Sequence, residues 1–350
     1  MVLKITSLQQ LYAHAFDTTI DVRSPAEFAE DHLPGSINLP VLDNDERARV
    51  GTIYVQESPF LARKLGAALV FRNAANHIEH SLSHHEGGWK PLVYCWRGGQ
   101  RSGSFTWMLQ QIGWRAEVVE GGYRAYRRLV SRYLYDDPLP FQFVLLDGYT
   151  GTAKTELLTH LQERGVQVLD LEGLANHRGS LLGAMPGGQP SQKAFESTLA
   201  AELCGFDPTR PVVVEAESSK IGSLILPPRL WSAMCAAVRI QIDAPIEARA
   251  EYLVSAYDDV LSDAERLKDL LSPLRSHRGH EVVDGWFALI DGGNKLALTR
   301  SLMEQHYDPA YAKSARVHST EIVASIQVPS LASTGLKEVA VRVEQVLDQL

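Results

Sequence analysis

Short apolar runs alternate with amphipathic stretches along much of this chain. Apolar runs bounded by turn residues predict strands at residues 92–94, 117–119, 141–146, 166–169, 211–214 and 238–242. The stretches between them carry apolar residues at helical spacing, as Phe105, Met108 and Leu109 do. Strands that alternate with helices are typical of a parallel sheet with helices on both faces, so the pattern predicts an α/β fold.

A proline-rich junction divides this pattern into two parts. Pro138 and Pro140 separate a helical stretch from the apolar run that follows, which marks a domain boundary. We therefore predict two α/β domains, at residues 1–137 and 138–350, since 350 residues are enough for two separate cores. Residues 44–90 interrupt the strand pattern of the first domain and predict a mainly helical insertion.

The composition excludes several classes of protein. With 45% hydrophobic and 22% charged residues the chain is predicted to be soluble, and no apolar run approaches the roughly 18 residues of a membrane span. The first residues alternate polar and apolar side chains, unlike a signal peptide, so we expect a cytoplasmic protein. The net charge of -8 argues against a protein that is basic all over, and confines any RNA site to a local patch.

Cys95 begins the segment CWRGGQRS, between a predicted strand and a predicted helix. Its two glycines let successive N–H groups converge on one point, and the helix dipole and two arginines add positive potential. Such a loop binds an oxyanion and favours the thiolate, so Cys95 is a predicted nucleophile, with Arg101 facing the anion and Arg97 in support. The three cysteines are too widely spaced for a disulfide framework or a cysteine zinc site, and no metal site is predicted.

The segment at Cys95 fits two chemistries. Its Cys-x5-Arg-Ser pattern is that of cysteine phosphatases, but the surrounding segments, in their order, resemble the signatures of the rhodanese family. These segments are DVRSPAEF at residues 21–28, HLPGSINLP at residues 32–40 and EGGYRAY at residues 120–126. The resemblance implies a rhodanese-like first domain, in which the thiolate accepts sulfur or selenium and the loop amides stabilise the charged terminal atom.

A second strand-loop-helix segment opens the second domain. The sequence GYTGTAKT at residues 148–155 matches the P-loop pattern GxxxxGK(S/T), except that Ala153 replaces the glycine before the lysine. A methyl group there disfavours the usual backbone angles, so the segment indicates a phosphate-binding loop more than an ATPase, within a P-loop NTPase-like α/β domain. The predicted diphosphate contacts are Gly148, Thr150, Gly151, Lys154 and Thr155.

Two further polar segments follow predicted strands, at the edge where α/β proteins bind ligands. Glu215 and Glu217 end the strand at residues 211–214, where carboxylates can act as a base, hold a metal ion or face solvent, and the sequence leaves these alternatives open. His177 and Arg178 lie in a glycine-punctuated loop after another strand. We keep them, with Glu215, as candidate anion or tRNA contacts.

The combination of these segments resembles the tRNA 2-selenouridine synthase family over nearly the whole chain. The rhodanese-like CWRGG, the degenerate P-loop and the sequence LEGLANHRGS at residues 171–180 carry the resemblance. It implies that a wobble 2-thiouridine of tRNA is first S-geranylated from geranyl diphosphate and then converted to 2-selenouridine with selenophosphate. Geranyl diphosphate and selenophosphate are then co-substrates, and no tightly bound cofactor is expected. An enzyme that produces selenophosphate would be a compatible partner.

Within this resemblance, we assign Cys95, Arg97 and Arg101 to selenium handling and the phosphate loop to geranyl diphosphate. Two other functions stay open from the residues alone. One is a rhodanese-type sulfurtransferase or persulfide carrier whose second domain docks partners, and the other is a Cys-x5-Arg phosphatase fused to a kinase-like domain. No pattern indicates an oligomeric state.

A run of arginines is the candidate tRNA surface, because RNA backbones are bound mainly through their charge. The spacing of these arginines places them on one face of a predicted helix, just before the domain junction. The run consists of Arg124, Arg127, Arg128 and Arg132.

Overall fold

The computed structural model describes residues 2–315 and 320–350. The strands are β1 (Val2–Leu3), β2 (Thr18–Asp21), β3 (Ile37–Asn38), β4 (Pro91–Tyr94), β5 (Glu117–Val119), β6 (Phe143–Asp147), β7 (Gln167–Leu169), β8 (Val212–Glu215), β9 (Lys220–Ile221), β10 (Leu224–Ile225), β11 (Val238–Asp243) and β12 (Ile322–Gln327). Strands β4, β6 and β8 are buried along their whole length, as expected where helices cover both faces of a parallel sheet.

Helices connect these strands. They are α1 (Leu8–Tyr12), α2 (Pro25–Glu30), α3 (Asn44–Gln56), α4 (Pro59–Glu79), α5 (Gln100–Ile112), α6 (Gly122–Ser131), α7 (Lys154–Glu163), α8 (Leu171–Ala175), α9 (Gln192–Gly205), α10 (Pro228–Ala236), α11 (Ile246–Ala256), α12 (Asp258–Leu261), α13 (Ala264–Leu271), α14 (Arg275–Arg278), α15 (His280–Asp291), α16 (Lys295–Leu302), α17 (Asp308–Ala315) and α18 (Ser333–Leu347). Short π-helical segments follow α6 at Arg132–Asp136 and α16 at Met303–Tyr307, and a 3-10 turn spans Ser272–Leu274.

The chain forms two compact units. The first contains the residues up to Pro138 together with Pro190–Gly205, and the second contains Leu139–Gln189 and the residues from Phe206 onward. The sequence placed all of residues 138–350 in one domain, so the assignment of helix α9 to the first unit is a correction. Helix α9 packs against α1 and α6 of the first unit, and Ser197 of α9 donates a hydrogen bond to Asp31 Oδ2 at 3.0 Å. Local sequence pattern contains no information on these long-range contacts.

The first unit contains a parallel sheet with the strand order β1-β5-β4-β2-β3 among the described residues. Its core includes the side chains of Ile20, Val93, Phe105 and Leu109, which join the sheet to helix α5. The predicted insertion is helical, and consists mainly of α3 and α4. Asp43 begins α3 with a capping box, in which its side chain accepts a hydrogen bond from the Glu46 N–H at 2.7 Å.

The second unit contains a parallel sheet with the strand order β12-β11-β6-β8-β7 among the described residues. Helices α7 and α18 pack on it through buried leucines and valines such as Leu157, Leu161 and Val343. A separate helical core around Trp286 joins α12, α13, α15 and α16. Both predicted α/β domains are therefore confirmed, and each sheet places a loop after its middle strand, β4 in one unit and β6 in the other.

Candidate active site

The loop that carries Cys95 runs from the end of β4 to the first residue of α5. Two glycines let it lie against the turn that precedes α6. Gly98 has a φ of +64°, and a Cβ there would lie 2.6 Å from the carbonyl oxygen of Val119. Gly122 has a φ of +56°, and a Cβ there would lie 2.2 Å from the carbonyl oxygen of Cys95. Only glycine fits at these two positions, since any side chain would collide with backbone.

The Cys95 thiol is enclosed rather than open. The residue is 3% exposed, and its carbonyl accepts a hydrogen bond from the Tyr123 N–H at 2.8 Å. Ser102, in the first turn of α5, donates a hydrogen bond from Oγ to Cys95 Sγ at 3.1 Å. A donor aimed at the sulfur stabilises a thiolate, while the low exposure means that a co-substrate reaches the sulfur only after neighbouring side chains move.

Arg101 is paired with a carboxylate, whereas the sequence predicted that it faces an anion. Its Nη1 donates to Glu27 Oε2 at 2.8 Å, and Arg47 lies 3.7 Å from the same oxygen. Burial alone would raise the pKa of Glu27, but the hydrogen bond and charge of Arg101 hold that pKa below its usual value. An anion at Cys95 must therefore compete with Glu27 for Arg101. Arg97, by contrast, is exposed in the loop.

The first rhodanese-like signature forms a buried ion pair beside the Cys95 loop. Asp21 and Arg23 are 0% and 1% exposed, and Arg23 Nη2 lies 2.6 Å from Asp21 Oδ2. The guanidinium also donates to the carbonyl oxygen of Asp31 at 2.6 Å and lies over the ring of Tyr123, 4.0 Å from its centroid. Because Tyr123 holds the Cys95 carbonyl, this ion pair supports the backbone of the loop from behind.

The predicted phosphate loop lies between β6 and α7. Ala153 adopts the left-handed conformation with a φ of 56°, the backbone angle that favours glycine at this position. Lys154 folds back over the loop, and its Nζ donates to the carbonyl oxygen of Gly148 at 2.7 Å. Gly151 has a φ of +86° and leaves no room for a Cβ, which would lie 2.8 Å from a methyl carbon of Leu253.

Side chains from distant helices hold the phosphate loop in place. Arg249 of α11 donates from Nη1 to the carbonyl oxygen of Thr150 at 3.1 Å and forms a 2.8 Å ion pair with Asp308. The Gly148 N–H donates to Tyr311 Oη at 3.1 Å and to Asp147 Oδ1 at 2.8 Å. The loop is thus preformed by residues far away in the sequence, which sequence reasoning did not identify.

Three glutamates gather next to the phosphate loop. Thr155 donates from Oγ1 to Glu172 Oε2 at 3.2 Å, and the Glu172 N–H donates to Glu215 Oε1 at 2.7 Å. Burial, the charge of Glu217 and a hydrogen bond with Glu217 raise the pKa of Glu172 to about 8. Burial and the charge of Asp170 raise the pKa of Glu215 well above its usual value. Of the alternatives left open for Glu215, a solvated carboxylate is excluded, because the residue is 3% exposed.

His177 and Arg178 lie on the wall of the same cavity. Arg178 Nη1 forms a 3.0 Å ion pair with Asp259, and its guanidinium lies 4.8 Å from the ring centroid of Tyr257. His177 accepts a hydrogen bond at Nδ1 from the Gly179 N–H at 3.1 Å, and burial lowers the pKa of its ring. At neutral pH the imidazole is therefore uncharged, and Arg178 is the cation of this wall.

A cavity of about 650 Å³ unites these groups within the second unit. The phosphate loop, the three glutamates and the loop around Arg178 line it, together with Tyr252 and Tyr311. A second pocket of about 30 Å³ shares Thr150, Ser180, Leu253, Tyr257 and Tyr307 with this cavity. The rest of its wall is almost entirely apolar and includes Leu182, Leu261, Leu302 and Met303. The arrangement suits a ligand with an anionic head and an apolar tail.

The arginine run is divided by the structure. Arg124, Arg128 and Arg132 are exposed, although Arg132 lies 3.3 Å from Asp137. Arg127 instead pairs with the buried carboxylate of Glu196 on helix α9. The expectation that Arg127 shares an open face with the other arginines is therefore wrong, because its charge is used within the first unit.

Several residues next to the reactive groups were not assigned from sequence. Ser102 belongs to the Cys-x5-Arg-Ser pattern, so its contact with Cys95 could have been found there. Glu172 lies in the segment at residues 171–180, and Glu217 follows the predicted strand at residues 211–214. Only the fold brings their carboxylates together. Within the described residues, no cluster of three histidines, cysteines or carboxylates fits a metal ion, and no helix is long and apolar enough to span a membrane.

Two family models match this chain. A rhodanese-like domain matches residues 6–129, and a tRNA 2-selenouridine synthase AAA domain matches residues 141–272. Helix α9 falls inside the second match, although its contacts assign it to the first unit.

Curated relatives are similar along most of the chain. A tRNA 2-selenouridine synthase of Aeromonas salmonicida (strain A449) is 35% identical, covering 83% of this chain and 85% of that protein. The enzyme of the same name from Pseudomonas syringae pv. syringae (strain B728a) is 36% identical, covering 88% of this chain and 93% of that protein. A third, from Cupriavidus pinatubonensis (strain JMP 134 / LMG 1197), is 30% identical over 87% of this chain and 90% of that protein.

Proposed function

This chain belongs to the tRNA 2-selenouridine synthase family, and we propose that it converts 2-thiouridine in tRNA to 2-selenouridine in two stages. In the first stage, the sulfur of the base attacks C1 of geranyl diphosphate and becomes S-geranylated. In the second stage, selenium from selenophosphate replaces the geranylated sulfur. The names of the relatives support the overall conversion, and the site geometry supports the division into stages.

The order of the two stages follows from the chemistry of the thiocarbonyl. C2 of a 2-thiouracil is a poor electrophile, and its sulfur is a poor leaving group. Alkylation turns this carbon into a thioimidate carbon, from which a thiol can depart. A selenium nucleophile then adds to C2 and expels geranyl thiol, so neither stage needs an oxidant or a reductant.

The observation that carries the proposal is the two-part cavity of the second unit. Its polar part has the phosphate loop on one wall, where backbone N–H groups and Lys154 can bind a diphosphate. In the part of the chain that the structure describes, the hydrogen bonds of Lys154 go to loop carbonyls, at 2.7 Å and 3.5 Å, and an anion can replace these partners.

The apolar pocket beside the phosphate loop is the proposed seat of the geranyl tail. At about 30 Å³ it is too small for ten carbons as it stands, so the tail enters only when side chains move. Met303 is flexible enough to do so, because methionine has an unbranched chain with several rotatable bonds. The leucines of α12 and α16 would then enclose the tail.

The Cys95 loop is the proposed site of selenium transfer. Selenophosphate is a tetrahedral anion, and we assign Cys95, Arg97 and Arg101 to its binding in this loop. Exposed Arg124 and Arg128 are the proposed tRNA contacts of this unit, and a tRNA substrate would place the reaction in the cytoplasm.

The decisive experiment is mass analysis of nucleosides after the purified protein acts on tRNA that contains 2-thiouridine. With geranyl diphosphate alone, we expect S-geranyl-2-thiouridine, and with selenophosphate added we expect 2-selenouridine. Omitting geranyl diphosphate should leave 2-thiouridine unchanged. Formation of 2-selenouridine at full rate without any prenyl donor would refute the two-stage scheme, and failure to form it under any condition would refute the function.

A further inference from the structure

We infer that Glu172 and Glu217 together take up the proton that N3 of 2-thiouracil releases when its sulfur is alkylated. This inference rests on the geranyl transfer proposed above and adds the acid–base step that the transfer requires. S-alkylation of a 2-thiouracil yields a neutral product only if N3 loses its proton. A group at the alkylation site must accept that proton or pass it to water.

The two carboxylates lie close together on the cavity wall. They follow β7 and β8, which are neighbours in the sheet. Gly179 shows how near they are, because a Cβ there would lie 2.3 Å from Glu172 Oε1 and 2.6 Å from Glu217 Oε1. The bond from Thr155 to Glu172 Oε2, at 3.2 Å, places the pair beside the loop that would hold the diphosphate.

A third carboxylate supports the pair from behind. Glu215 accepts the Glu172 N–H at Oε1, while its Oε2 is buried without a hydrogen-bond partner among the described residues. This residue also lines the cavity. An unpaired buried oxygen in this position indicates a site that is completed by a ligand or by a transferred proton.

The proton balance of the step is complete. The C1–O bond of geranyl diphosphate breaks, and diphosphate leaves with the electron pair while a C1–S bond forms. The N3–H bonding pair becomes the N3=C2 double bond, and the proton passes to a carboxylate oxygen of the pair. The step involves no oxidation or reduction, so no further co-reactant is needed.

The charges around the pair suit this role. An ordinary glutamate is too weak a base for a thiouracil N–H, whereas a base whose pKa lies near the operating pH transfers protons well. Burial and Glu217 raise the pKa of Glu172 to about 8, while Lys154 and the Thr155 hydroxyl act in the opposite direction. The other titratable groups that face the pair are Asp170, His177, Arg178, Glu215, Tyr252 and Tyr257.

His177 is a weaker candidate for the same proton. Burial lowers the pKa of its ring, which makes it a poorer base than Glu172. Its Nδ1 already accepts the Gly179 N–H at 3.1 Å, so only Nε2 is left to accept a proton. The phenols of Tyr252 and Tyr257 have raised pKa values and hold their protons at neutral pH.

The test is the pH dependence of S-geranylation by the full-length protein, measured as the initial rate on 2-thiouridine tRNA with saturating geranyl diphosphate. For the unmodified protein we expect kcat to rise up to a pH of about 8 and then level off. Glu172→Gln should lower kcat near neutral pH by about 100-fold. Its rate should keep rising with pH until N3 ionises without help, so that the defect shrinks at high pH.

Glu217→Gln gives a result that a merely structural role does not produce. Removing the charge of Glu217 removes the repulsion that raises the pKa of Glu172, so the rising limb of the profile should move to lower pH. Glu265→Gln is the matched control, because Glu265 is 90% exposed on α13 and far from the phosphate loop in sequence. It should behave as the unmodified protein does.

Two further measurements keep the outcomes distinct. Titration calorimetry with geranyl diphosphate alone should give similar affinities for all variants, and a loss of binding at unchanged kcat would overturn the inference. A 5-fluoro-2-thiouridine substrate has a more acidic N3, so it should reduce the Glu172→Gln defect, and an unreduced defect would count against proton transfer.

The inference and the proposed function can fail separately. If the unmodified protein transfers no geranyl group, the proposed function is wrong. If it does so, and Glu172→Gln has the same profile as the parent, only the proton acceptor is wrong.

Discussion

The Cys95 loop and the phosphate loop have the same position in their sheets but differ in how open they are. Each follows the middle strand of its sheet as described, β4 or β6, and leads into a helix. The Cys95 thiol is 3% exposed, and the nearby Arg101 is paired with Glu27. The phosphate loop borders a cavity of about 650 Å³, and Lys154 donates a hydrogen bond to the Gly148 carbonyl oxygen of the loop.

This difference shows that topology places such a loop, whereas side-chain partners decide its chemistry. Parallel strands end at one edge of the sheet, and the following helix contributes its dipole there, so both loops are suited to anions. At Cys95 the positive charge is already balanced by a carboxylate, which suits a protected nucleophile. At the phosphate loop, Lys154 donates its hydrogen bonds to backbone carbonyls, although its charge also acts to lower the pKa of the nearby Glu172. The following predictions test this contrast, from the largest effect to the smallest.

Cys95→Ala tests the closed loop and should have the largest effect. Because Cys95 lies in the proposed site of selenium transfer, its loss should slow formation of 2-selenouridine by at least about 100-fold. Geranylation should continue, so the geranylated nucleoside should accumulate in the mass analysis. Equal loss of both steps would contradict the separation of the two sites. Cys235→Ala is the control, since Cys235 lies in the second unit on α10.

Asp21→Asn tests whether the closed loop depends on its buried ion pair. The substitution leaves the Arg23 guanidinium buried without its counter-charge, which should cost about 3–5 kcal/mol of unfolding free energy. Denaturant unfolding measures this loss. Asp137→Asn removes the exposed partner of Arg132 and should cost less than about 1 kcal/mol. Similar losses of unfolding free energy in the two variants would show that the buried Asp21–Arg23 pair matters no more for stability than the exposed Arg132–Asp137 pair.

Lys154→Ala tests the open loop. Loss of one charge-assisted contact to the diphosphate should weaken geranyl transfer by roughly 10- to 100-fold, which corresponds to about 1.5–3 kcal/mol. Binding of selenophosphate should be unaffected. Lys268→Ala is a suitable control, because Lys268 pairs with Asp291 on the surface of the second unit. Unchanged geranylation in Lys154→Ala would refute the assignment of the diphosphate to this loop.

Glu215→Gln should have the smallest effect, on stability rather than on rate. Burial raises the pKa of Glu215, so the folded chain keeps a proton that the unfolded chain releases above a pH of about 4.5. The folded state therefore loses stability as the pH rises above that value. The amide has no such dependence, so the variant should unfold at a higher temperature than the parent near pH 8. Near pH 5 the unfolding temperatures of the variant and the parent should be nearly equal. A difference that is the same at pH 5 and pH 8 would show that Glu215 does not keep its proton in the folded chain.

Local patterns predicted the parts of this protein that depend on neighbours in sequence. The strand before Cys95, the strand before Gly148 and the helices after both loops were expected and are present. The predicted strand at residues 141–146 begins two residues later, at Phe143. Ala153 adopts the left-handed backbone angle that favours glycine, although the sequence predicted that its methyl group disfavours the usual angles of the loop.

Contacts between distant segments were beyond prediction. Arg101 and Glu27 lie 74 positions apart, and no periodicity links them. Glu172 and Glu217 meet only because β7 and β8 are neighbours in the sheet. Arg127 looked like one member of a basic face, yet a carboxylate from a helix that begins at Gln192 pairs with it. In each case the pairing follows from the tertiary fold.

The path of the chain through the two units limits how this protein can be dissected. The chain leaves the first unit after Pro138, returns to it for Pro190–Gly205 and leaves again. A truncation after residue 137 would thus remove Ser197, whose hydroxyl donates a hydrogen bond to Asp31. The first unit can be isolated with all its residues only when an artificial linker joins residues 190–205 to the residues up to Pro138. No single cleavage of the chain separates the two units.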